Sequence, residues 1–157
     1  MLNIVILMVG KTRTAFIQEG LTVYQKRLRP YLKLSLVTVR EEKPYASLSA
    51  DHLRAQEGAR LLAKITRPAR TVTLEITGQL MTSEVLAQWL TNREQESAAP
   101  LVFVIGGHLG LAPAVVAAAD YHLSLSRLTF THELSRLILL EQLYRAMTIR
   151  AGHPYHL

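Results

Sequence analysis

Two stretches, NIVILMV (3–9) and LVFVIG (101–106), are apolar and β-branched almost without interruption. A strand with one face in water alternates apolar and polar residues, so continuous runs of this length read as buried strands. Three more segments complete a set: LKLSLVTV (32–39) alternates, TVTLEI (71–76) is closed by Gly78, and YHLSLSRL (121–128) alternates again. Helical periodicity fills every gap between them. It covers 14–29, from about Asp51 to Ile65, 83–96, Pro113 to Ala119, and about 133–150. Thr14 and Ser83 stand where helix caps belong, and Pro30 stands where a helix must stop. The residues 41–50, EEKPYASLSA, read as a polar loop. Regular alternation of this kind predicts an α/β fold, a mostly parallel sheet with helices on both faces, in one domain over 1–157.

In such sheets ligands bind beyond the carboxyl ends of the strands. That rule gathers Leu74–Ile76, Ile105–Gly110 and Leu125–Phe130 on one edge. The middle segment continues as FVIGGHLGL, with glycines at 106, 107 and 110. The spacing is not the G-x-G-x-x-G of a dinucleotide site, and only 47 residues follow Gly110, too few for a second nucleotide-binding half. A Walker lysine is missing as well. The glycines either make a tight strand-to-helix turn or let a ligand approach the backbone. Around them lie leucines, Ser124, Ser126, Thr129 and few charges. This composition suits an aromatic base with an apolar stem better than a triphosphate.

Charge points to a second surface. The net +6 is the sum of a basic first half and a slightly acidic second half: residues 1–70 carry thirteen Lys/Arg against five Asp/Glu, and 71–157 carry five against seven. Lys11, Arg13 and the cluster Lys26, Arg27, Arg29 and Lys33 are candidates for gripping a polyanion, or equally the solvated end of a helix. The chain has no cysteine, which excludes disulfides, thiolate metal sites and a cysteine nucleophile. Six histidines form no ligand cluster, HExxH is absent, and no metal is expected. The apolar N-terminal run is too short to cross a bilayer and has neither a basic segment before it nor a cleavage site after it, so a cytoplasmic location is expected. His132 reads as a polar residue at a helix start, or as one that shapes the ligand loop, with Glu133 complementing the dipole in the first turn. The end, HPYHL, reads as a frayed tail, although an aromatic and an imidazole side by side also suit the handling of a nucleobase.

Taken together, FVIGGHLGL, TLEITG (73–78), LSLSRLTFTHELSRLILLEQLYRA and the terminal HPYHL resemble the RlmH-type SPOUT methyltransferases. The resemblance runs over essentially the whole chain. It implies S-adenosylmethionine as cofactor and N3 of a pseudouridine in bacterial large-subunit ribosomal RNA as the methyl acceptor, with the assembled ribosome as the expected substrate. It also implies a C-terminal trefoil knot and a homodimer whose RNA-facing site draws on both subunits. By resemblance, cofactor contacts fall on Leu74, Gly106, Leu125, Ser126, Arg127, Leu128, Thr129 and Phe130. The candidate catalytic residues are His156 as base or proton relay, Tyr155 to position the base, and Arg136 to hold phosphate or stabilise the imide anion. Two departures stand out: Thr131 where relatives often have Pro, and Leu157 where many have a basic residue. A SPOUT enzyme acting on transfer RNA and a non-catalytic RNA-binding assembly protein are the alternatives.

Overall fold

The computed structural model describes residues 1–44 and 47–157; Tyr45 and Ala46, within the loop expected over 41–50, lie outside the described residues. In chain order the elements are β1 (Asn3–Val9), α1 (Ala15–Leu28), β2 (Lys33–Val39), α2 (Ala50–Lys64), β3 (Arg70–Leu80), α3 (Ser83–Glu96), β4 (Leu101–Ile105), α4 (Pro113–Ala118), β5 (Tyr121–Ser124) and α5 (His132–Arg150), followed by a short 3-10 turn at Pro154–His156. The strands form one sheet in the order β2-β1-β4-β3-β5, with every neighbouring pair parallel. The expected α/β fold with a parallel sheet is the observed one. None of the described helices is long and apolar enough to cross a membrane.

The two uninterrupted apolar runs occupy adjacent central strands, paired from Ile4 with Leu101 to Met8 with Ile105. Alternate residues feed opposite cores. Ile4, Ile6, Met8, Leu101, Phe103 and Ile105 pack with Ile17 and Leu21 of α1, Leu86 and Leu90 of α3, and Leu139, Leu140 and Leu143 of α5. Leu7, Val9, Val102 and Val104 face the other way, against Leu61 of α2 and Val115 of α4. Cover on both faces is what makes the runs continuous. Three helices therefore lie on one side of the sheet and two on the other.

Two strand boundaries depart from the sequence pattern, and both shape the site. β5 stops at Ser124 instead of continuing to 128. The Ser124 hydroxyl donates to the Ser126 carbonyl at 3.0 Å, and the Ser126 hydroxyl accepts from the Leu128 N–H at 2.9 Å. These local bonds give the backbone an alternative to the ladder, and the chain leaves the sheet. β3 runs on through Gly78 to Leu80 instead of ending at Ile76. Leu123 of β5 is in register with both Leu74 and Gln79, so the four residues between them leave the β3–β5 ladder as a bulge. Gly78 closes that bulge against β5: a Cβ there would sit 2.6 Å from the Leu123 carbonyl carbon. Backbone cannot yield as a side-chain tip can. Gly78→Ala is expected to lower the unfolding free energy by about 1–3 kcal/mol, as other overpacked sites do, read from the shift in urea midpoint at unchanged slope.

Candidate active site

At the carboxyl edge of the sheet the ends of β4, β3 and β5 open into a cleft of about 770 Å³. Its walls are the β3 bulge (Leu74 to Thr77), the glycine loop after β4 (Ile105 to Leu111, without Leu109), and the segment from Leu125 to Ser135. Thr14 closes it from the β1–α1 loop. The size suits a cofactor-sized ligand, and the lining is largely apolar. Among the described residues no lysine or arginine lines it, so it offers a phosphate chain no counter-charge.

The glycine loop is a turn first. The Gly110 N–H donates to the Gly107 carbonyl at 3.0 Å, and Gly110 holds φ at 78°, a conformation that suits glycine. The fold-back brings Gly110 over Gly106, where a Cβ would lie 2.7 Å from the Gly110 carbonyl carbon. With no side chain at 106, 107 or 110, main chain itself forms this wall. The turn and the open backbone turn out to be one feature, not two competing explanations.

The opposite wall is carried by α5. Thr131 caps the helix, its hydroxyl accepting from the Leu134 N–H at 3.2 Å. A threonine in place of a proline thus exchanges a fixed φ for a cap. Glu133 reaches across to α1 and accepts from the Arg13 and Thr14 N–H groups at 2.8 and 3.0 Å. Burial works to raise the Glu133 carboxyl, but these N–H donors outweigh it and hold the group below the ordinary carboxylate range. His132 lines the cleft beside it, half-buried. Burial, and then the Arg136 guanidinium, push this imidazole below its ordinary value despite the opposing charge of Glu133.

With the geometry in hand, the comparisons are decisive. The model of the predicted SPOUT methyltransferase family matches residues 2–156. The chain belongs to the SPOUT methyltransferases. It is 40% identical over 158 aligned residues to the ribosomal RNA large subunit methyltransferase H of Carboxydothermus hydrogenoformans, covering 99% of each chain. Among solved structures, a probable methylase family protein from Haemophilus influenzae aligns over 96% of this chain and 69% of its own, with TM-score 0.58 at 12% identity. The SpoU methyltransferase AviRb from Streptomyces viridochromogenes, solved with AdoMet, aligns over 96% and 59%, with TM-score 0.48 at 16% identity. At such low identity the Haemophilus protein speaks for the fold alone.

In this SPOUT fold Leu74, Gly106, Leu125, Ser126, Leu128, Thr129 and Phe130 all line the one cleft. Arg127 does not: its guanidinium bonds the Ile76 carbonyl and ties the 125–130 loop to the bulge. The three candidate catalytic residues lie elsewhere. Arg136 is fully buried, donating to the Val9 carbonyl at 2.6 Å and to the Thr12 hydroxyl at 2.8 Å, and so has no surface to offer an RNA phosphate. Tyr155 packs edge-on against Tyr144 at 4.7 Å, and its hydroxyl donates to Glu141 at 3.2 Å. His156 is paired through Nε2 with Glu84 at 2.8 Å. Glu141 lies six residues along α5 from Ser135, the last helix residue lining the cleft, about 9 Å at the helical rise. The tail therefore sits outside its own subunit's cleft.

The lining also includes Glu75 and His108, which lie within the gathered strand ends, His132 and Glu133 at the helix start, and Thr14, Thr77 and Ser135, none of which the sequence pattern assigned to the cofactor. The signal for Thr14 was present, because the β1–α1 loop lies at the same sheet edge as the other three. Removing the Glu133 carboxylate should loosen that loop. Glu133→Ala is expected to cost about 1.5–3 kcal/mol, the range for hydrogen bonds to a charged group. Because the folded-state carboxyl titrates low, the wild type holds this advantage above the unfolded value of 4.5 and loses it as pH falls through the folded one. Urea unfolding of both proteins at neutral and acid pH should show the gap closing.

Proposed function

We propose that this chain transfers a methyl group from S-adenosylmethionine to N3 of a pseudouridine in bacterial large-subunit ribosomal RNA, acting in the cytoplasm as a single-domain homodimer on assembled ribosomes. The observation that carries the reading is the cleft: three strand ends and a glycine loop form a wall of apolar side chains and bare main chain without a cation. Whole-length identity to a protein named for large-subunit ribosomal RNA supports the substrate class.

The residues fit the cofactor. Leu74, Ile105, Leu125 and Phe130 offer apolar surface for an adenine and its ribose, and the uncovered backbone at Gly106 and Gly107 offers hydrogen bonds at close approach. Bound there, S-adenosylmethionine supplies a methyl on a sulfonium, a leaving group that needs no acid. What the protein must add is alignment of the acceptor nitrogen, exclusion of water and a place for its proton. Lys11, Lys26, Arg29 and Lys33 are exposed on the α1 side and suit phosphate contacts that position RNA without reading its sequence. Arg13 and Arg27 are partly engaged, with Glu41 and with the rings of Tyr24 and Tyr144.

The homodimer is part of the same reading. Tyr155 and His156 cannot line their own subunit's cleft from where they stand, so a role for them at the base requires the cleft of a second copy. We include the trefoil threading in this reading, supported by the match to the SPOUT family over residues 2–156.

Labelled S-adenosylmethionine should pass methyl to ribosomes from cells lacking the modification, and not to bulk transfer RNA or protein-free ribosomal RNA. Label on transfer RNA would reassign the substrate, and RNA binding indifferent to the cofactor would favour an assembly role. A second test addresses the shared site. Gly106→Val, which blocks the cofactor wall, and His156→Ala should each be inactive as homodimers. Coexpressed, they should recover a fraction of wild-type transfer through mixed dimers with one intact site; no recovery would place each site within one subunit.

A further inference from the structure

The cleft brings together Glu75, His108, His132 and Glu133 as its ionisable side chains, and they are not equally free to act. Glu133 is occupied in capping the α1 backbone. Glu75 is held by the Thr73 hydroxyl at 2.6 Å and by His122 Nδ1 at 2.8 Å. His108 rides on the tip of the glycine turn, above the buried carboxyl of Glu57. His132 differs. It stands on the first turn of a nineteen-residue helix whose packing fixes its backbone, and its ring makes no hydrogen bond among the described residues. A free, half-buried imidazole facing a cofactor-sized cleft from a rigid element is the arrangement a general base requires.

Resting on the function proposed above, we infer that His132 is the catalytic base of this subunit's cleft, taking the proton from the acceptor nitrogen as the methyl arrives. In that step the N–CH₃ bond forms, the C–S bond breaks and its electron pair stays on sulfur, leaving a neutral thioether. The N–H proton passes to the free ring nitrogen of His132, which becomes an imidazolium and returns the proton to solvent. His156 of the second copy is then free to pack against the base and exclude water.

The surroundings keep the ring unprotonated in the resting state. Arg136 on its own helix and His108 on the glycine turn disfavour a proton, while Glu133 and, from the β2–α2 loop, Glu41 favour it; Arg13 partly neutralises Glu41. Burial is the largest influence and sides with Arg136. The base is therefore available at neutral pH, and the transfer rate should rise with pH along an acid limb whose midpoint lies below the ordinary imidazole value of 6.5.

The test uses His132→Gln, which keeps a polar side chain of similar reach. Single-turnover transfer at saturating cofactor and ribosome should fall roughly 100-fold or more, the usual contribution of a general base. Cofactor affinity by calorimetry should be unchanged. Independently of turnover, the His132 ring resonances of the cofactor-free wild type should titrate at the midpoint of the wild-type rate profile's acid limb. Transfer by the variant at the wild-type rate, or an acid limb that persists in the variant, overturns the assignment alone. A wild type that methylates none of the RNAs overturns the functional reading, and this one with it.

Discussion

A buried guanidinium holds the last helix to the end of the first strand. Arg136 is fully shielded from solvent and is satisfied by the Val9 carbonyl and the Thr12 hydroxyl, leaving Nε without a partner. Taking such a charge out of water is costly, and among the described residues no carboxylate within bridging distance offsets it. The position is kept because a β1 carbonyl that ends in the core would otherwise be orphaned. One residue-turn earlier, Glu133 does the complementary job for the N–H groups that open α1. Between them, an anion and a cation on one turn of α5 satisfy a donor end and an acceptor end of the same loop. The wall of the cleft stands on that clamp.

The clamp also divides the labour along α5. Its first turn lines the cleft, its middle packs on α1 and α3, and its far end releases the chain toward Pro154–His156. Nineteen helical residues span about 28 Å. A helix this long and this well packed cannot bend to bring its own tail back to its own start. Site and tail are consequently separate objects in one subunit, whatever joins them in an assembly.

Much of this was readable in the residues. Uninterrupted apolar runs identified the two central strands because only a doubly covered strand excludes polar residues from both faces. The rule placing ligands at carboxyl strand ends then collected the cleft. Misreadings arose where a residue's chemistry depends on what it meets through space. Gly78 reads as a stop because glycine commonly ends strands, whereas here it permits close contact with Leu123. Ser124 and Ser126 look like the polar half of an alternation until their hydroxyls turn the chain. For Tyr155 and His156, residue type says nothing of location: Glu141 and Glu84 hold them away from their own subunit's cleft. Arg136 is more instructive, since charge argued for a surface role. Its position did not: it falls three, four and seven residues before Leu139, Leu140 and Leu143, on the innermost stripe of the helix. Periodicity outranked residue type.

The bulge in β3 has a consequence for how such a site can change over time. Leu123 is gripped by register contacts on both sides of the excursion, at Leu74 and at Gln79, so the sheet is continuous around the four residues that leave it. The outline of the cleft is thus drawn by a detachable span of backbone, while the strands and both cores take their alignment from residues outside it. Lengthening, shortening or rewriting that span would alter what the cleft accepts without moving β5 or disturbing the layers beneath. A scaffold with this property can acquire a new ligand preference by small insertions, and its descendants should differ in loop length there before they differ anywhere in the sheet.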